Sequence, residues 1–233
     1  MKRALIIMAK RPFPGQTKTR LTPPFTPETA AQLYECLLQD TLSSVRTTAA
    51  LTDNLTPVIA FSPKHEEAYF QQLAPNFILL PQQGSTLSER LDNVLTSSLQ
   101  NGYAQVAAIN SDSPSLPPAY LTQAFAELDK PATDLVLGPV SDGGYYLIGW
   151  KRPLSPTVLR VQMSTPHVLN DTLQVAADFK LKTVLLPSWH DIDEIEDLEE
   201  AMREDWVPHE SYLAQFMNAK RDFFSRITHH VSH

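Results

Sequence analysis

The 233-residue chain is poor in cysteine: Cys36 stands alone, so no intrachain disulfide can form and nothing resembles a cysteine zinc cluster. It has no excess of positive charge. Nineteen Lys and Arg against 26 Asp and Glu leave a net charge of -7, which argues against a nucleic-acid binder with a general basic surface. A small anionic ligand stays possible, because it answers to local charge. Long apolar runs are missing at the amino terminus, where Ala4–Ala9 ends at Lys10 and Arg11. Six residues are too few for a signal core or a membrane span, so a buried strand, no membrane span and a cytoplasmic location are the expectations. There is neither a Walker loop nor a Gly-x-Gly-x-x-Gly turn. No internal repeat or long linker divides the chain, so one domain over 1–233 is expected, with a C-terminal helix and polar tail over 205–233. Hydrophobic residues at 42% and charged residues at 19% exclude wholesale disorder.

What is present alternates between apolar runs and helical periodicities. Ala4–Ala9, Pro57–Phe61, Phe77–Leu80, Gln105–Asn110, Asp134–Leu137, Tyr145–Trp150 and Leu181–Leu186 read as strands. A helix opens with Thr26 as cap and Pro27 in its first turn, and carries the stripe Ala30, Leu33, Tyr34, Leu37, Leu38, Thr41, Leu42 and Val45. Cys36 lies beside that stripe as a small packing residue. Thr86 and Glu89 form a capping-box pattern ahead of Leu87, Leu91, Val94, Leu95 and Ser98. Ser164 or Thr165 is expected to cap a helix with Pro166 in its first turn. A last amphipathic helix carries Leu213, Phe216, Met217, Lys220, Phe224 and Ile227, and its Phe216, Phe223 and Phe224 serve either core packing or a dimer contact. His229, His230 and His233 fall in the polar tail. Such alternation predicts an α/β fold with a mostly parallel sheet and helices on both faces.

Ligands of open α/β sheets gather beyond the carboxyl ends of the strands, and four segments there carry unusual polar content. Lys10, Arg11, Gly15, Lys18, Thr19 and Arg20 belong to a basic loop after the first strand. Four cations in one loop suit a diphosphate or triphosphate, with Arg20 able to grip two oxygens and Lys18 acting as a mobile point charge; a solvated basic loop has the same composition. Asn110-Ser111-Asp112-Ser113-Pro114 puts a carboxylate at a strand end. Asp112 can place an oxygen on Mg²⁺ or Mn²⁺, and an Asx turn before Pro114 accounts for it equally. Asp142-Gly143-Gly144-Tyr145-Tyr146 offers a backbone that a ligand can approach and a carboxylate able to deprotonate an acceptor hydroxyl, or else a plain hairpin turn. Tyr145 and Tyr146 alternate faces, so at most one faces a site. Asp191 and Asp193 share parity in an extended segment and can both face one ion, while Asp193 also fits a helix N-cap three residues before Glu196. Arg90, early in the helix after Gly84, reaches a base or phosphate or pairs locally.

In order and spacing these segments resemble one family. Ala9-Lys10…Pro14-Gly15…Lys18-Thr19-Arg20-Leu21, Ser111-Asp112-Ser113-Pro114, Gly138-Pro139…Asp142-Gly143-Gly144-Tyr145-Tyr146-Leu147-Ile148-Gly149, Ser164-Thr165-Pro166 and Asp191-Ile192-Asp193…Asp197-Leu198 are similar to the bacterial radical-SAM/selenodomain-associated glycosyltransferase-like proteins. That family lies within the nucleotide-diphospho-sugar transferase superfamily. The basic loop is also similar to that of 2-phospholactate guanylyltransferases. The resemblance implies a glycosyltransferase type A fold, a Rossmann-like three-layer αβα sandwich, and a divalent metal, Mg²⁺ or Mn²⁺. It implies phosphate contacts from Lys18 and Arg20, metal ligation by Asp112 with Asp193 or Asp191, and an acceptor side lined by Asp142, Gly143, Gly144 and Tyr145. The chain departs from the family pattern at Ser88, in place of a glycine, at Met163, in place of a tryptophan, and at Glu194, in place of a threonine.

The leading expectation is a metal-dependent glycosyltransferase with a nucleotide-diphospho-sugar donor and a small-molecule acceptor, using Lys18, Arg20 and Asp142 in catalysis. A nucleotidylyltransferase that releases pyrophosphate from a nucleoside triphosphate is the alternative, since one basic loop serves both reactions. The substitutions at Ser88 and Met163 leave a third reading, a catalytically silent nucleotide-binding protein. Base, sugar, acceptor and oligomeric state stay open.

Overall fold

The computed structural model describes residues 1–204 and 206–221, so Phe223, Phe224, Ile227, His229, His230 and His233 lie outside the described residues. The chain divides into two compact units. One comprises Met1–Arg11, Ser44–Ser111 and Leu116–His190; the other comprises Pro12–Ser43, Asp112–Ser115 and the chain from Asp191 on.

The first unit holds a seven-stranded sheet built from β1 (Arg3–Lys10), β2 (Leu55–Ser62), β3 (Ile78–Pro81), β4 (Gln105–Ile109), β5 (Leu135–Pro139), β6 (Tyr145–Trp150) and β7 (Thr183–Leu185). Their order is β3-β2-β1-β4-β6-β5-β7. Every pairing is parallel except those of β6, which runs antiparallel to both β4 and β5. All seven predicted strands are present, with ends shifted by a few residues. The antiparallel β6 follows from the short connection after β5: a crossover helix needs a dozen or more residues, and here only 140–144 intervene.

Ala4, Ile6, Val58, Ala60, Val106, Ala108, Leu135, Leu137, Ile148 and Trp150 line one face. Leu91, Val94 and Leu95 of α3 (Leu87–Gln100), Val158 of α5 (Pro156–Leu159) and Ala176 of α6 (Val168–Asp178) cover it. Alternate residues such as Ile59 and Phe61 point the other way, where Phe61 meets Phe70 of α2 (Glu67–Leu73) with ring centroids 5.3 Å apart. Leu121, Ala124, Phe125 and Leu128 bury α4 (Pro118–Asp129). The result is the three-layer sandwich expected. The capping box of α3 is realised: Thr86 Oγ1 accepts from Glu89 N at 3.1 Å, and Glu89 Oε2 accepts from Thr86 N at 3.3 Å. Leu87 departs from its expected stripe and is exposed, because it occupies the first helical turn. Another correction concerns Pro166. Its helix, α6, begins only at Val168; Thr165 Oγ1 accepts from His167 N at 3.3 Å, so Pro166 precedes the helix instead of opening it.

The second unit gathers the first part of α1 (Pro27–Leu51), α7 (Ile195–Arg203) and α8 (Tyr212–Ala219). Leu21, Phe25, Leu33, Leu37, Ile192, Leu198 and Leu213 form its core. Thr26 Oγ1 accepts from Thr29 N at 3.2 Å, as a cap should. Asp40, on α1, was not singled out by the sequence. Its buried carboxylate accepts from Tyr212 N at 2.8 Å and Leu213 N at 3.0 Å, and Ser211 Oγ takes Ala214 N at 3.0 Å. Together they satisfy the free donors at the start of α8.

Candidate functional site

The sheet order reverses at β1, flanked by β2 and β4. The chain leaving β1 becomes the basic loop, and the chain leaving β4 becomes Asn110-Ser111-Asp112. These are the two connections that flank a topological switch point, where such sheets bind ligands.

Within the second unit, three predicted site residues meet. Lys18 Nζ lies 2.7 Å from Asp112 Oδ2 and 2.5 Å from Asp193 Oδ1. The Lys18 side chain is only 5% exposed, against 25% for Asp112 and 38% for Asp193, so the ammonium is the most enclosed member. Lys18 holds left-handed backbone angles, φ 49 and ψ 43, and precedes a short 3-10 turn over Thr19–Leu21. Leu21, fully buried, anchors that turn, and Leu21 N donates to Lys18 O at 3.1 Å. On its other side Thr17 is buried, with Oγ1 donating to Phe13 O at 3.3 Å. A backbone held by hydrogen bonds on both sides thus carries the four-carbon lysine stem.

The carboxylates are fixed just as locally. Ile192 N donates to Asp112 O at 3.0 Å, tying the turn after β4 to the Asp191–Asp193 segment, and Ile192 itself is wholly buried. Asp193 N and Glu194 N donate to Asp197 Oδ2 at 2.8 and 2.7 Å. The sequence suggested Asp193 as a helix N-cap. The N-cap of α7 is instead Glu194, in a capping box with Asp197. That shift leaves the Asp193 side chain available to Lys18. Arg20 Nη1 stands 3.9 Å from Asp193 Oδ2 and 3.8 Å from Glu194 Oε1, with 63% of its side chain exposed.

Burial by itself would lower the pKa of Lys18. The charges of Asp112 and Asp193 and their hydrogen bonds outweigh it and hold the ammonium protonated well above its ordinary range. For Asp193, burial pushes upward, but the charge and hydrogen bond of Lys18, with the charge of Arg20, bring the carboxyl below its usual value. Lys18 and Asp193 are therefore both charged at neutral pH. The sequence assigned the lysine to phosphate and the aspartates to metal. It did not show that they are paired with one another, because 94 and 175 positions separate the partners.

Most of the other candidates lie in the first unit; Gly15 and Asp191 belong to the second. Asp142, Gly143 and Gly144 form the tip of the β5–β6 hairpin, closed by Val140 N to Gly144 O at 3.2 Å. Asp142 is exposed, and its Oδ1 accepts from Gly144 N at 2.9 Å. Gly143 has φ +90, and a Cβ there would lie 2.0 Å from Pro166 O, so glycine is required both for the backbone and for the approach to the α6 entry. Tyr145 directs its hydroxyl to Met163 Sδ at 3.7 Å, and Tyr146 donates to Pro187 O at 3.0 Å. Burial pushes both phenols up, so neither is a base at neutral pH. Arg90 Nε donates to Gly84 O at 3.0 Å, the local pairing. Ser88 Oγ donates to Val161 O at 3.2 Å, so Ser88 and Met163, two of the three departures from the family pattern, both have structural contacts. Lys10 and Gly15 are exposed, at the end of β1 and in the loop after it, and Asp191 is half-buried. Gln82, unforeseen, donates through Nε2 to Ala9 O at 3.1 Å and Ala60 O at 2.8 Å, binding the carboxyl ends of β1 and β2.

The fold is that of the nucleotide-diphospho-sugar transferases. A structure of a candidate nucleotide-diphospho-sugar transferase from Desulfovibrio desulfuricans G20 is similar with TM-score 0.87 and 25% identity, over 97% of this chain and 98% of that one. A cytidylyltransferase from Leptospira borgpetersenii serovar Hardjo-bovis shares the fold at TM-score 0.56 and 12% identity, covering 97% of this chain and 96% of that one. So does glucosyl-3-phosphoglycerate synthase from Mycobacterium tuberculosis in complex with Mn²⁺, UDP and glucosyl-3-phosphoglycerate, at TM-score 0.52 and 10% identity over 87% and 76% of the two chains. The chain belongs to the family described as "uncharacterized protein conserved in bacteria (DUF2064)", which matches residues 44–165. No curated protein matches it. Among the described residues no helix is long and apolar enough to cross a membrane.

Proposed function

We propose that the chain is a transferase that takes a nucleotide-diphospho-sugar as donor and passes its sugar to a small-molecule acceptor. The observation that carries this reading is the convergence of Asp112 and Asp193 on one cationic point, Lys18 Nζ, in the loop that follows β1. A pair of carboxylates facing a single positive charge has the hard oxygen chemistry that Mg²⁺ or Mn²⁺ prefers, so the residues fit the metal the fold implies. Asp112 and Asp193 would hold the ion, with Asp191 two residues away, and it would supply Lewis-acid neutralisation of the departing diphosphate. Support comes also from the shared fold, which extends to a synthase holding Mn²⁺ and UDP.

The chain's own residues divide the remaining work. Lys18 and Arg20 bind phosphate oxygens, and their charge counters the negative charge that grows on the leaving group. Lys10, Gly15 and Thr19 complete the loop around the phosphates, and Arg90, at the start of α3, is a further cation for a phosphate or base. Asp142 takes the proton from the acceptor hydroxyl, on an acceptor side formed with Gly143, Gly144 and Tyr145. Removing the Asp142 carboxylate should therefore slow sugar transfer while leaving donor affinity intact.

Nucleotidyl transfer is the second reading, favoured by two cations two residues apart, which suit a triphosphate, and by the fold shared with a cytidylyltransferase over 97% of the chain. Incubation with each nucleoside triphosphate or nucleotide sugar and a panel of hydroxyl and phosphorylated acceptors separates the two. Acceptor-dependent pyrophosphate release would overturn glycosyl transfer; release of a nucleoside diphosphate supports it. A protein whose melting temperature no nucleotide raises, with Mn²⁺ present, would be the silent binder instead.

A further inference from the structure

We infer that Lys18 is an exchangeable internal counterion, which occupies the carboxylates of Asp112 and Asp193 until a nucleotide's phosphates draw it away. This rests on the metal-binding reading above and adds a coupling to it: a divalent ion binds the site only weakly until the nucleotide is present.

Three observations lead there. Each of the two aspartates assigned above to the metal already gives one oxygen to Lys18 Nζ, at 2.7 and 2.5 Å. Lys18 offsets part of the negative charge of the two carboxylates it bridges, and a dication added beside the ammonium would face like charge at short range. The lysine also has the means to leave. Its backbone is pinned by the 3-10 turn and buried Leu21, while its four-carbon stem and compact charge can pair with whichever anion is nearer. A diphosphate supplies that anion. Lys18 then passes from carboxylate to phosphate, and the freed aspartates become ligands. By linkage the metal and the nucleotide each strengthen the other's binding, with Lys18 as the physical coupling between them. Its left-handed backbone, sparsely populated by non-glycine residues, is the kind of local strain that marks such sites.

The test is Mn²⁺ binding without nucleotide, read from the electron paramagnetic resonance of the free ion. Wild type is expected to bind Mn²⁺ weakly. Lys18→Gln, which frees the carboxylates and removes the competing charge, should bind at least ten-fold more tightly. Lys18→Arg, which keeps the charge, should stay near wild type. The gain should vanish in the double variant Lys18→Gln with Asp112→Asn. Lys18→Met is the substitute if Lys18→Gln fails to give a cooperative thermal transition. Equal Mn²⁺ affinity in wild type and Lys18→Gln, with both lost on Asp112→Asn, would overturn the exchange and leave the metal site standing. Absence of Mn²⁺ binding in every variant at millimolar ion, and in wild type with a nucleoside diphosphate added, would overturn both.

Discussion

Replacing Lys18 with methionine tests the ion cluster as a structural element, separately from any ligand. Gross attraction between unit charges near 2.7 Å is about 6 kcal/mol at an effective dielectric of 20, and Lys18 makes two such contacts. Against this stands the desolvation of an ammonium that is 5% exposed, a cost of several kcal/mol. The carboxylates are 25% and 38% exposed, so water screens both their attraction to Lys18 and the repulsion left between them. Breaking a fully buried pair costs about 3–5 kcal/mol; with this screening a loss of about 2–3 kcal/mol is expected for Lys18→Met. In the double variant with Asp193→Asn, one of the two uncompensated charges is gone, and a coupling energy of about 1–2 kcal/mol should return. Urea denaturation of the four proteins, without metal or nucleotide, measures each corner of the cycle. A coupling below about 0.5 kcal/mol, the scatter of independent sites, would refute the reasoning that these charges hold one another in place.

Four further outcomes follow from named contacts. Asp112→Asn should lower kcat/KM for the donor by about 10²–10³-fold, the range for losing one preorganised electrostatic contact, with the circular dichroism spectrum unchanged; steady-state kinetics on the identified donor checks it. Gly143→Ala, which puts a Cβ 2.0 Å from Pro166 O at a φ of +90, should cost about 2–4 kcal/mol through strain and displacement of the hairpin tip, read by thermal unfolding. Gly138→Ala should cost a similar amount, because its Cβ would fall 2.3 Å from the Tyr146 ring, and Tyr146→Ala in the same chain should restore part of it. Asp40 supplies the pH test: burial raises its pKa above 3.8, more than the hydrogen bonds from Leu213 and Tyr212 lower it. The folded state therefore binds the proton more tightly than the unfolded one, so this group's contribution to stability is greatest at low pH and declines as pH rises from 3.8 through the folded value. Asp40→Asn should remove that decline; urea midpoints across the acid range show whether it does.

Much of the fold was legible because its signals are local. An unbroken apolar run such as Ala4–Ala9 requires cover on both faces, and Thr86 with Glu89 announces a helix start from three residues' separation; both are present as read. Leu87 and Pro166 were misplaced for a local reason too, since periodicity continues through a helix entry while burial and hydrogen bonding begin a turn later. The site was legible as a set of residue types after strand ends: cations in one loop, carboxylates in two others. What the sequence by itself determined was that Lys18 and Arg20 would form a compact cationic element and that Asp112 and Asp193 would be acidic. Only the tertiary structure decided that Lys18 lies between those two carboxylates. An ammonium pairs with whatever anion packing brings within 3 Å, and here that is set by Leu21 and Ile192 burying into one core and by Asp197 taking the backbone of Asp193, contacts that no spacing along the chain records.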